Sequence, residues 1–146
     1  MTTSGQPSEI ELAEIAALEV TRVINLGLHS HADALPDEAA SVAQHGMAYR
    51  HLPVAFDAPT EDDYQRFAEE MRAAESDTLH VHCIANMRVT AFLYRFARDE
   101  HGVDVGRARR AMDSIWTPGG AWAGLIGDAA RMSEAHGPPR ETDENR

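Results

Sequence analysis

Residues 78–100 pass from an extended apolar stretch, Thr78-Leu79-His80-Val81, through His82-Cys83-Ile84-Ala85-Asn86-Met87-Arg88 into a segment with apolar residues at helical spacing, Val89, Phe92, Leu93 and Phe96. A strand that runs through a short loop directly into a helix constrains the chain more than any compositional feature. It belongs to α/β architecture, where strands pair in parallel and helices cover the sheet. In such sheets ligands bind beyond the carboxyl ends of the strands. The loop also gathers free backbone N–H groups at the positive end of a helix dipole, a natural site for an anion.

The loop holds the only cysteine of the chain, Cys83, with four residues between it and Arg88. A lone cysteine in a cytosolic chain is most often a small buried hydrophobe without chemistry. Position argues for more here. The amides and Arg88 favour thiolate over thiol, which makes the sulfur a nucleophile. The guanidinium fork can grip two oxygens of a phosphate or similar oxyanion. A cation at a helix N-terminus opposes the dipole unless an anion lies between them, so Arg88 breaks a local rule where a site is expected.

The rest of the chain reads as alternating helices and strands. Residues 9–18, opened by Pro7-Ser8, carry Leu12, Ile15 and Leu18 on one side, and Val20 to Leu26 reads as a strand. A polar loop with Gly27, His29, His31 and Asp33 follows, then a helix opened by Pro36 and closed by Gly46. Met47 to Val54 is a second strand, expected beside the cysteine-bearing one. Thr60 with Asp63 has the spacing of a capping box, ahead of Tyr64, Phe67 and Met71 at helical intervals. Two more helices are expected near 105–115 and 121–134. Residues 5–136 thus form a single α/β domain with a mostly parallel sheet of four or five strands, and residues 1–4 and 137–146 are expected to be flexible ends.

Composition excludes several classes. The net charge of −11 argues against nucleic acid or an anionic membrane surface as partner. No apolar run approaches the length of a membrane span, and no basic region followed by an apolar block marks a secretory signal. One cysteine cannot form an internal disulfide, which fits a cytoplasmic location.

At this point the residues carry a resemblance. The stretches Thr3-Ser4-Gly5-Gln6-Pro7-Ser8, Val23-Ile24-Asn25-Leu26, Tyr49-Arg50-His51-Leu52-Pro53-Val54, the His82–Arg88 loop, Ala91-Phe92-Leu93-Tyr94 and Ile115-Trp116-Thr117-Pro118 with Trp122 occur in order along the chain. Together they resemble the cysteine-based phosphatases, the dual-specificity and protein tyrosine phosphatase superfamily. The similarity extends to a group of small bacterial phosphatase-like proteins, whose domain also occurs in the beta-lactamase-hydrolase-like proteins. The resemblance implies a dual-specificity-phosphatase-like fold and hydrolysis of a phosphate monoester through a cysteinyl-phosphate intermediate. Cys83 would be the nucleophile, Arg88 and the amides around Ile84, Ala85, Asn86 and Met87 the oxyanion cradle, and His82 the residue that orients the loop. It also implies an acid for the leaving group. Asp57, in Phe56-Asp57-Ala58-Pro59, is the candidate, against a turn aspartate bonded to its own backbone.

The loop departs from the phosphatase pattern by being one residue shorter, by placing Asn86 near a glycine position and by following Arg88 with Val89. Asn tolerates a left-handed backbone, and Thr90 can supply a hydroxyl one position late to assist the departing thiolate. The spacing of cysteine and arginine also resembles the rhodanese-type sulfurtransferases. Two alternatives therefore stand beside the phosphatase: a sulfurtransferase or persulfide-handling enzyme, and a non-catalytic oxyanion-binding module.

Other candidates read more plainly. His80 and His82 share a strand face and His29 and His31 repeat the spacing, but no further ligand completes a metal site in sequence, so neither metal nor organic cofactor is expected. Asn25 and His31 are candidates for the rim. Trp116 and Trp122 are expected to pack the last two helices together, and Arg107, Arg109 and Arg110 to form a solvated face.

Overall fold

The computed structural model describes residues 1–127. A four-stranded sheet forms its centre: β1 (Thr2–Ser4), β2 (Arg22–Asn25), β3 (Ala48–His51) and β4 (Leu79–His82). The strand order is β1-β4-β2-β3 and every pair is parallel. Among the described residues six helices accompany it: α1 (Glu9–Ala17), α2 (Glu38–Gln44), α3 (Glu61–Ala73), α4 (Met87–His101), α5 (Val105–Asp113) and α6 (Gly120–Leu125). Among the described residues no helix is long and apolar enough to cross a membrane.

Local chemistry sets the helix starts. The Ser8 hydroxyl accepts from Glu11 N while the Glu11 carboxylate accepts from Ser8 N, a reciprocal capping box that opens α1. Thr60 and Asp63 do the same for α3. Helix α2 begins two residues later than Pro36, because the Asp37 carboxylate accepts from Ala40 N and caps it there.

Side chains alternate across the short strands, so two cores form. Ile24, Leu79 and Val81 belong to one core, which also holds Phe67 of α3, Phe92 of α4, Met112 of α5 and Trp122 of α6. Val23 faces the other way and joins Leu12, Ile15 and Val42 of α1 and α2. Phe92 lies among Tyr64, Phe67 and Trp122, with ring centroids 5.5, 5.3 and 5.4 Å away, the offset and edge contacts that aromatic rings prefer.

Three expectations are corrected. Residues 1–4 are not a flexible end: Thr2–Ser4 pair with His80–His82 as an edge strand. Their polar, three-residue stretch has no apolar alternation, and its anchor is a tertiary one, hydrogen bonds to His80. The strands at Val20–Leu26 and Met47–Val54 are shorter than expected, four residues each. Finally, β3 lies beside β2 and not beside β4, since β2 stands between them. The proposed last helix is described only over Gly120–Leu125; its extension to 134, the domain limit at 136 and the tail 137–146 lie outside the described residues.

Candidate active site

All four strands run the same way, so Ser4, Asn25, His51 and His82 lie level at one edge of the sheet. The segments leaving that edge hold the Cys83 loop. Gln6 N donates to Ile84 O at 3.0 Å, and Leu26 N donates to His82 O at 2.8 Å. A Cβ on Gly5 would stand 2.5 Å from the Ile84 carbonyl oxygen and 3.3 Å from its carbon, so only glycine lets the β1 segment lie against the loop. Gly5→Ala is therefore expected to push the loop out of place and lower stability by about 1–3 kcal/mol, a loss measurable by denaturant unfolding. An unchanged midpoint would mean the loop yields freely.

The loop turns into α4 at Asn86, whose φ is +63°. Asparagine thus occupies the left-handed position as the sequence suggests. Its amide Nδ2 donates to Thr3 Oγ1 at 3.3 Å. Ile84 packs beside Gly27, Ala85 beside Gly5, and Met87 is the first residue of α4. Cys83 and Arg88 are both wholly buried. Arg88, in the first turn of α4, donates from Nε to Val54 O at 2.7 Å, and its guanidinium carbon lies 5.4 Å from the centre of the Phe56 ring. The chain after β3 therefore reaches Arg88 although β3 itself is not adjacent to β4. Asp57 follows Phe56 in an exposed turn of that segment.

Two tryptophans fasten this arrangement. Trp116 Nε1 donates to Met87 O at 2.9 Å and lies 3.1 Å from Thr90 Oγ1; Trp122 Nε1 donates to Phe56 O at 2.7 Å. They tie α4 and the Asp57 segment to the C-terminal helices, a role beyond the packing expected of them. The Thr90 hydroxyl donates to Met87 O at 3.1 Å.

Behind the loop, on the α2 side of the sheet, lies a buried polar cluster. His82 Nδ1–H donates to Cys83 O at 2.9 Å, and His82 Nε2 lies 2.6 Å from Glu38 Oε2. The other Glu38 oxygen accepts from Gln6 Nε2 at 2.8 Å. Burial alone would raise the Glu38 carboxyl, but the hydrogen bond and charge of His82, with the Gln6 amide, outweigh it and hold the group below its ordinary value. His82 thus does bond the loop, and its acidic partner is a residue the sequence did not single out. Glu38 looks there like an ordinary helix-start carboxylate.

His80 faces the same side, 6.3 Å from the His82 ring, and is used by β1. The Ser4 hydroxyl donates to Gly5 O at 2.6 Å, so it accepts from His80 Nε2–H at 2.8 Å, while Thr2 Oγ1 donates to Nδ1 at 2.7 Å. Both ring nitrogens are satisfied with the ring neutral. Burial, reinforced by the nearby His82, lowers the His80 pKa to about 4. An unfolded histidine protonates first, so native stability is full above its ordinary pKa of 6.5 and falls as pH drops from there toward 4, by about 3 kcal/mol in all. Urea unfolding of the wild type and His80→Gln between those limits checks this: the variant should show the flatter dependence, and parallel slopes would contradict it. Glu38 acts in a separate, lower window, because its depressed carboxyl loses its contribution only below the ordinary carboxylate range.

The rim residues are structural in their visible contacts. Asn25 accepts from Gly27 N and donates to Tyr49 OH, and His31 accepts from Asp33 N. Among the described residues no group of three or more His, Cys, Asp or Glu side chains is placed to hold a metal ion.

The all-parallel sheet with helices on both faces is a fold that the chain shares with solved structures of phosphatases. The fold matches that of a DUF442 protein of Shewanella putrefaciens CN-32 assigned to the phosphatases, with a TM-score of 0.77 and 28% identity over 92% of this chain and 87% of that one. TpbA of P. aeruginosa, in a cysteine-to-serine form in complex with phosphotyrosine, shares the fold with a TM-score of 0.62 and 18% identity over 98% and 83% of the two chains. In sequence, the chain is 32% identical over 126 residues to the beta-lactamase hydrolase-like proteins of two Xylella fastidiosa strains, an alignment taking in 74% of this chain. It spans only 29% of the length of those relatives. No protein-family model matches the chain.

Proposed function

We propose that the chain is a cysteine-dependent phosphatase that hydrolyses a phosphate monoester through a cysteinyl-phosphate intermediate. The observation that carries this reading is the joining of Cys83, just past the C-terminal end of β4, to Arg88 in the first turn of α4 by one left-handed turn, in a fold shared with phosphatases. A phosphate- or sulfate-like oxyanion would sit against the amides of the loop and the Arg88 guanidinium. The Cys83 thiolate would attack phosphorus as the bond to the leaving oxygen breaks, with the Asp57 carboxylic acid giving that oxygen a proton. Water would then attack the phosphorus of the thiophosphate ester, Asp57 taking its proton, and the thiolate would leave with Thr90 in support. Asp57→Asn is expected to lower kcat by about a hundredfold or more and to remove the fall in rate toward higher pH that a required acid produces. A variant with the wild-type pH–rate profile would exclude Asp57.

Two observations favour other readings. Cys83 is wholly buried while Ile84, Ala85 and Asn86 are part-exposed, so the loop can meet an oxyanion without the thiol reaching it, which suits a protein that binds without turnover. The short loop suits sulfur carried as a persulfide. Phosphate release from a small aryl phosphate by the wild type, from mildly acidic to neutral pH, decides among them. Turnover supports the phosphatase. Its absence, with sulfur added to Cys83 by thiosulfate, supports the sulfurtransferase, and sulfate binding alone supports the binding module.

A further inference from the structure

We propose that Glu38 is a positioning residue of this site: it holds His82 as an imidazolium whose Nδ1–H fastens the Cys83 carbonyl and whose charge favours the Cys83 thiolate. The inference rests on the reading of Cys83 as a nucleophile. Geometry carries it. His82 is wholly buried and both its ring nitrogens meet acceptors, the Cys83 carbonyl at 2.9 Å and the Glu38 carboxylate at 2.6 Å. A carbonyl only accepts, so Nδ1 keeps its proton. With Glu38 ionised, Nε2 needs one too, because a lone pair facing a carboxylate in a buried site is repulsive. The imidazolium stands between the carboxylate and the Cys83 backbone. The positive end of the pair therefore points at the loop.

The surrounding groups leave this assignment in place. His80 of β4 is satisfied as a neutral ring by Thr2 and Ser4. On β3, His51 Nε2 donates to Gly27 O, and burial lowers its affinity for a proton. Tyr49 accepts from Asn25 and donates to His29 Nε2, its ring held as the neutral phenol by burial. His29 stacks on His51 with centroids 3.6 Å apart. On α1, Glu9 reaches α2 at Ser41. Glu38 is the carboxylate bonded to His82, and Gln6, the residue that clamps Ile84, is its second support.

Glu38→Gln isolates the charge. A carboxamide keeps the shape, accepts from Gln6 through its oxygen and donates through its nitrogen to a neutral His82, whose Nδ1–H stays on Cys83 O. Ultraviolet thiolate absorbance, corrected with Cys83→Ser, follows the single cysteine with pH and needs no reagent to reach it. The midpoint is expected to rise by about half a unit to one unit in Glu38→Gln. A midpoint unchanged or lowered in the folded variant would overturn the proposal, since a merely structural role for Glu38 leaves it in place. The wild type supplies a second measurement that does not depend on the variant folding. Ring ¹⁵N shifts should show both His82 nitrogens protonated at neutral pH, and a neutral ring would overturn the proposal outright. Neither readout requires turnover, so their success without phosphate release would defeat the phosphatase reading and leave Glu38 in its role.

Discussion

Cys83→Ser should reduce phosphate release on the order of 10⁵-fold while leaving the fold intact. A serine hydroxyl in the same place is a far weaker nucleophile than a thiolate, and the loop amides and Arg88 cannot ionise it near neutral pH. The exchange of sulfur for oxygen is small in volume. Although Cys83 is wholly buried, the neighbouring backbone bonds, Gln6 N to Ile84 O and Leu26 N to His82 O, do not involve its side chain. Unfolding should therefore shift by no more than about 1–2 kcal/mol. Kinetics with an aryl phosphate and a denaturant titration on the same preparation separate the two effects. Turnover retained in a folded variant would remove Cys83 from the mechanism.

Arg88→Ala should damage both stability and activity. The side chain is wholly buried, one of the largest in the structure to be so, and its Nε holds the Val54 carbonyl. Alanine leaves a cavity and an unsatisfied carbonyl, at about 3 kcal/mol or more. It also removes the guanidinium expected to grip two oxygens of the oxyanion as charge builds on them, worth about a thousandfold in kcat/KM. Arg88→Lys keeps the charge and loses the fork, so it should recover part of the affinity and little of the geometry. Chemical denaturation reports the first loss and steady-state kinetics with sulfate competition the second. An Arg88→Ala protein with normal kcat/KM would show that this guanidinium points at the core alone.

The parts of the site that the sequence reveals are those whose causes are local. The strand-loop-helix around Cys83 shows in hydrophobic spacing, the left-handed turn in the choice of Asn86, and the α3 cap in Thr60 and Asp63. What it conceals depends on residues far apart in the chain. Thr2–Ser4 pair with β4 as a strand whose Thr2 and Ser4 hydroxyls are hydrogen-bonded to the two ring nitrogens of His80, and nothing in three polar residues announces that. Glu38 reads as a helix-start acid until the fold brings it to His82, forty-four residues on. The position of β3 depends on which strands pair, so adjacency inferred from chain order placed it wrongly beside β4. Even so, the segment after it still reaches Arg88 through Val54 and Phe56. Trp116 and Trp122 look like packing residues because their indole N–H partners, the carbonyls of Met87 and Phe56, are backbone atoms without sequence identity.

The most direct measurement is rapid acid quenching of the wild type during turnover of an aryl phosphate, followed by mass spectrometry of the peptide that contains Cys83. One phosphoryl group on Cys83, absent from Cys83→Ser and accumulating in Asp57→Asn if water attack is slowed, is the expected result. Phosphate release with the Cys83 peptide unmodified, or with the phosphoryl group on another residue, would contradict the cysteinyl-phosphate mechanism.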